Sequence, residues 1–361
     1  MSTDLWHHEF VTWCGPAIDH AFCNTAFPLV RGDGSVFIAY SGPEFVHDMA
    51  PGTTRIYLRE SSDHGRTAAG WGAEREVIHH SECKAFHPSL LRGRDGVLWM
   101  FYLGFYESVW SDGEPDMDRC RSDLWMARST DGGQTWRDRQ MIFRGYTGAT
   151  NGAVETASGH LVVPFSHNVR SPGRLVSACV VSCDRGETWQ LGERIDIGQQ
   201  GDHGGALEPC IIELTDGRLW MLIRTNLGCF YQAFSSDRGL SWQNLGPTNI
   251  ESGSAPCYVQ RLQSGRLALV WNHWPRRTAD ETHKQVDANQ RATLHAAVSE
   301  DEGRTWKTPL PCVRGCQLSY PFFCEAEPGQ LLVGCWHVQP GWKQATARMF
   351  RVSEETLIDA R

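Results

Sequence analysis

No run of 18 apolar residues occurs anywhere in the 361-residue chain, so no membrane-spanning helix is expected. The opening residues, Met1 to Glu9, hold neither a basic nor an apolar segment, and no secretory leader is expected. Lys/Arg-rich runs are missing as well: 34 basic against 42 acidic residues leave a formal charge of −8. Nucleic acid and anionic membrane surfaces are therefore poor partners. The 13 cysteines are scattered without one Cys-x-x-Cys pair. That pattern argues for reduced, buried thiols in a cytoplasmic protein and against disulfide staples or zinc ligands. Sustained 3.6-residue periodicity is absent too, which leaves strands to build the fold. What the chain has in quantity is glycine and tryptophan, 36 and 15 residues, many of them placed by two internal repeats.

The first repeat is Ser-x-Asp-x-Gly-x-Thr-Trp. It occurs at Ser129, Asp131, Gly133, Thr135 and Trp136, and again at Ser182, Asp184, Gly186, Thr188 and Trp189. Further copies start at Ser235 (with Ser241 for Thr) and Ser299, and a fifth starts at Ser61 with its tryptophan displaced to Trp71. Each residue suits a tight hairpin: Asp, Ser and Thr side chains bond nearby backbone N–H groups, Gly takes a positive φ, and Trp packs beneath. These boxes are read as structural. The second repeat is an apolar run, a turn ending in Gly34, Gly96, Gly159, Gly217, Gly265 or Gly329, and a second apolar run. The turn glycines recur at intervals of 62, 63, 58, 48 and 64 residues, a mean of 59. Six such units of four short strands imply an all-β, six-bladed β-propeller, a single domain over residues 1–361. A strand near residues 6–13 is expected to complete the last blade and close the ring.

In a propeller the first strand of each blade lies nearest the axis, so equivalent positions converge. Nine residues before the turn glycine stand His87, Glu208 and Tyr320 in blades two, four and six, each followed by proline. Proline there suits the start of a strand. Past the turn, Arg224 at plus seven is the expected hairpin partner of Glu208, and His167, His273 and His337 fall at plus eight. A charged pair at the narrow end of a blade needs a reason beyond packing.

With its boxes and the stretch from Glu208 to Arg224, the chain resembles the sialidase (neuraminidase, BNR-repeat) superfamily over essentially its whole length. The resemblance implies a tyrosine nucleophile, Tyr320; a glutamate that activates it, Glu208; and an acid/base aspartate, Asp48. It also implies arginines that grip a substrate carboxylate, Arg224 and Arg291. The family's first triad arginine is replaced by Asn24, within Cys23-Asn24-Thr25-Ala26-Phe27-Pro28, and His87 stands where a neutral residue is more usual.

Three readings stay open at this stage. A glycosidase of the sialidase type would use Tyr320 as nucleophile, Glu208 as its base and Asp48 as acid, with Arg224 and Arg291 holding an acidic sugar. A propeller-type uronate lyase would use His87 or His167 as base, Tyr320 as acid and Arg224 as the carboxylate clamp. A non-catalytic carbohydrate-binding propeller would keep its boxes with a broken site. The glycosidase ranks first, with Asn24 and His167 as further substrate contacts, an acidic carbohydrate or glycan as partner, and no cofactor or metal.

Overall fold

Strand periodicity becomes a ring because each sheet here is apolar on both faces. In the computed structural model, which describes residues 11–12, 26–42, 52–275, 288–338 and 345–360, six four-stranded antiparallel sheets form the blades of a propeller. Their innermost strands are Phe27–Val30, Lys84–Arg92, Val154–Glu155, Leu207–Glu213, Tyr258–Arg261 and Gln317–Glu327. The six turn glycines all take a positive φ, between 70° and 91°. Only one short α-helix, Glu354–Ile358, is present among the described residues, and none is long and apolar enough to cross a membrane.

The second strand of blade four, Leu219–Arg224, shows how the blades stack. Leu219, Met221 and Ile223 pack toward blade three, while Trp220 and Leu222 pack toward blade five. In blade two, Leu98, Met100 and Tyr102 face blade one, and Trp99, Phe101 and Leu103 face blade three. The period of two therefore alternates the neighbour rather than polarity, as expected of strands buried on both sides. Six apolar wedges between adjacent blades, the last joining blades six and one, make up the core. Val11–Thr12 pairs with Met349 and Arg348 on the third strand of blade six, so an N-terminal strand completes the last sheet as expected.

The Ser-x-Asp boxes link the third and fourth strands of blades one to five. In the box of blade two, Ser129 Oγ donates to Asp131 at 2.7 Å and accepts from Gly133 N at 2.8 Å, and Asp131 accepts from the Thr135 amide and hydroxyl. The boxes of blades three, four and five repeat this wiring. The box glycine also meets the preceding blade. A Cβ on Gly303 in blade five would stand 2.4 Å from the Trp220 ring of blade four, and one on Gly186 in blade three 2.6 Å from Trp99 of blade two. The boxes thus lock blade to blade as well as turning the chain.

This separates two glycine substitutions that share a left-handed backbone. Gly265→Ala, at φ 91° with open space around the new Cβ, should cost only the conformational penalty of about 1–2 kcal/mol. Gly303→Ala, at φ 80° against the Trp220 ring, should cost clearly more, read as the difference between the two denaturant midpoints. Equal losses would show that the box glycine serves the turn alone.

Candidate active site

Three of the inner strands break their own ladder at the same place. Pairing skips from Phe86 to Ser89 in blade two, from Leu207 to Cys210 in blade four and from Ser319 to Phe322 in blade six. Each skipped pair is a residue followed by proline: His87-Pro88, Glu208-Pro209, Tyr320-Pro321. The proline has no N–H for the ladder, and the residue before it sits at positive φ, 54° for His87, 31° for Glu208 and 51° for Tyr320. A bulge of this kind re-aims a side chain out of the sheet face. Such backbone costs of order 1–3 kcal/mol and gathers at functional sites.

The preceding blade holds each bulge. Ser41 Oγ accepts from the His87 amide at 3.3 Å, and Ser166 Oγ accepts from the Glu208 amide at 3.2 Å. Asn272 Nδ2 donates to Leu318 O at 3.0 Å, two residues before Tyr320. Ser41, Ser166 and Asn272 all stand seven residues after their turn glycine, so blades one, three and five support what blades two, four and six present. Arg224 of blade four stands at the same count from its own turn glycine, so the sequence carries the signal for all four.

The bulges bring together His87, Glu208, Arg224, Arg291 and Tyr320. Tyr320 Oη donates to Glu208 Oε1 at 2.9 Å, and Arg224 Nη1 donates to Glu208 Oε2. Arg224 is paired in the ladder with Leu207, not with Glu208 as its place seven residues past the turn glycine implied; the bulge carries Glu208 around to it. Ser254, which sequence reasoning missed because it lies in an aperiodic connection, joins the two arginines. Its hydroxyl accepts from Arg224 Nη2 at 3.2 Å, and its carbonyl accepts from Arg291 Nη2 at 2.7 Å. The Arg291 guanidinium lies 5.8 Å from the centre of the Tyr320 ring, the His87 ring 5.1 Å away at 76°, and Trp336 6.0 Å away.

Both arginines are buried, and among these five residues two guanidinium groups face one carboxylate. Burial works to raise the Glu208 carboxyl, but Arg224, the Tyr320 hydroxyl and Arg291 overcome it and hold the group below its ordinary range. Burial and the Glu208 charge push the Tyr320 phenol up, against the two arginines, so it rests protonated. Burial and the neighbouring Arg224 lower Arg291 to about 10, where it remains a cation at neutral pH. The result is a buried cluster of net positive charge with a neutral phenol hydrogen-bonded to an ionised carboxylate.

His167 sits apart from this cluster, its ring against Phe143 and Phe165 at 5.3 and 5.9 Å in the seam between blades two and three. Asn24 and Asp48 lie outside the described residues. Two cavities also lie elsewhere: about 810 Å³ between blades four and five beside Trp271 and Trp306, and about 450 Å³ at the far ends of the inner strands. Neither is lined by a member of the cluster, whose paired buried charges and strained backbone make it the candidate site.

Burial lowers four imidazoles, those of His87, His167, His295 and His337, from 6.5 to about 4. Between those values the unfolded chain takes up protons that the folded one refuses, so stability is full above about 6.5 and falls as pH drops toward 4. His167→Phe, which keeps an aromatic ring in the Phe143–Phe165 seam, should make this acid limb shallower in denaturation midpoints measured against pH. An unchanged limb would remove His167 from the set.

Residues 51–333 match the family model described as the BNR repeat-like domain. The sialidase of Micromonospora viridifaciens is 28% identical over 245 residues, 62% of this chain, and the chain spans only 35% of that protein's length. Among solved structures, a Dyadobacter fermentans protein of unknown function superposes with a TM-score of 0.71 at 17% identity, over 96% of this chain and 98% of that one. A Hadza microbial sialidase gives 0.72 at 16% identity, over 96% and 69%. The intramolecular trans-sialidase of Ruminococcus gnavus gives 0.69 at 14% identity, over 96% and 97%. These neighbours share the propeller fold, the family match spans most of the chain, and the protein belongs to the BNR repeat-like domain family.

Proposed function

We propose that the protein, working as one propeller domain, is a sialidase-type glycoside hydrolase that removes a terminal acidic sugar, a sialic acid or a related nonulosonic or uronic acid, from a glycan. The observation that carries this reading is the hydrogen bond from Tyr320 Oη to Glu208 beside two buried arginines. Arg224 and Arg291 bind the sugar carboxylate. Tyr320 Oη attacks the anomeric carbon as its proton passes to Glu208, and the bond to the leaving oxygen breaks as Asp48 protonates that oxygen. Water then displaces the sugar from Tyr320, with Glu208 returning the proton to the phenol oxygen and Asp48 taking one from water. A neutral phenol suits an anomeric centre that carries its own carboxylate, because it approaches without charge repulsion. The sialidase name of the Micromonospora viridifaciens relative agrees with this substrate class.

The uronate lyase reading is weaker on the same observation, since the tyrosine hydroxyl is engaged by a carboxylate and not by an imidazole.

Incubation with aryl sialosides and aryl uronides, read as phenol release, tests the proposal. Tyr320→Phe removes one oxygen from a packed ring and should lower kcat by about 10² to 10⁴ while ligand binding persists. Glu208→Gln should be nearly as damaging. A Tyr320→Phe enzyme that keeps more than about a tenth of wild-type kcat would overturn the nucleophile. New ultraviolet absorbance from uronate polymers, without phenol release, would replace hydrolysis by elimination.

A further inference from the structure

His87 is aimed by the same device as Glu208 and Tyr320, yet the hydrolytic reading gives it no work. It shares the bulge, the following proline and the left-handed backbone, and Ser41 holds its amide. Its side chain is 97% buried, with 3% exposure, and among the described residues its Nε2 has no hydrogen-bond partner. The ring lies edge to face with Tyr320 at 5.1 Å and with Phe322 at 5.9 Å. If packing were its whole purpose, a phenyl ring would fill the space without leaving a polar atom unsatisfied, and unsatisfied buried polar atoms call for a functional explanation.

Position narrows the partner. The arginines come from blades four and five, and in a ring of six, blade two stands opposite blade five. A sugar whose carboxylate is held by Arg224 and Arg291 therefore turns its other rim toward His87. Burial keeps the imidazole uncharged at neutral pH, against the pull of Glu208, so a neutral group suits it better than a second anion.

We propose that His87 is a specificity-determining substrate contact whose Nε2 hydrogen-bonds a neutral polar group, a ring hydroxyl or an amide, on the acidic sugar held beside Tyr320. The inference rests on the hydrolytic reading of that site. It makes His87 a reader of the sugar rather than a base.

The test is a cycle between protein and substrate. Phenol release is measured for the wild type, His87→Phe and His87→Gln on a parent aryl sialoside and on analogues that each lack one ring hydroxyl or the amide. His87→Phe should lower kcat/KM on the parent by about 5-fold to 100-fold, the range for one buried hydrogen bond, and His87→Gln should lose less. One analogue should be cut by a similar factor in the wild type yet lose nothing further in His87→Phe. Equal losses for every analogue in wild type and variant would overturn the contact, as would a Phe variant with wild-type kcat/KM. If His87→Phe does not fold, the same comparison is made with His87→Gln. A wild type that releases phenol from no acidic aryl glycoside brings down the hydrolytic reading itself, and this contact with it, a result distinct from activity that ignores His87.

Discussion

Every blade has two apolar faces, and the whole structure follows from the need to cover both. A sheet with one such face can lie on a single partner; a sheet with two needs a neighbour on each side, and only a closed ring supplies that without leaving a terminal sheet bare. The wedge between blades six and one is as much part of the core as the other five. So is the sharing of the last sheet between the third strand Ala345–Ser353 and the N-terminal Val11–Thr12. The Asp boxes serve the same end, since their glycines let one blade's turn seat on a side chain of the blade before it.

Closing the ring brings six strand ends together, and there the chemistry is set by charge out of water. Glu208 and Arg224 are each expensive to bury alone, and their pairing, with Tyr320 and Ser254 taking the remaining bonds, makes the burial tolerable. The second arginine is the unbalanced member. Arg291 is bonded to a carbonyl rather than to a carboxylate, so Glu208 reaches it only through space and not by a hydrogen bond. The site is thus more strained, both in backbone and in charge, than the wedges that carry it.

Much of this was legible in the sequence because it repeats. Glycines some 59 residues apart and five boxes gave the blade count, and one register count placed His87, Glu208 and Tyr320 together. The same count failed where the backbone stops being regular: it paired Arg224 with Glu208, while the ladder pairs it with Leu207, because no periodicity announces a bulge. Ser254 was invisible for a related reason, lying in a connection whose only order is the shape it takes around two guanidinium groups. His167 stands one residue beyond the register of Arg224, and a side chain one residue further along a strand belongs to the other face; its ring lies in an aromatic seam.

The alternation of supporting and presenting blades carries a consequence for how such a site can change. Since Ser41, Ser166 and Asn272 grip main-chain atoms, the side chain displayed at each bulge is nearly independent of what holds it there. The ring behaves as three two-blade cassettes, each a fixed mount with an exchangeable tool. An exchange at one bulge changes the displayed side chain and leaves the main-chain contacts at the other two untouched. On such a frame, imidazole, carboxylate and phenol occupy three copies of one architectural slot.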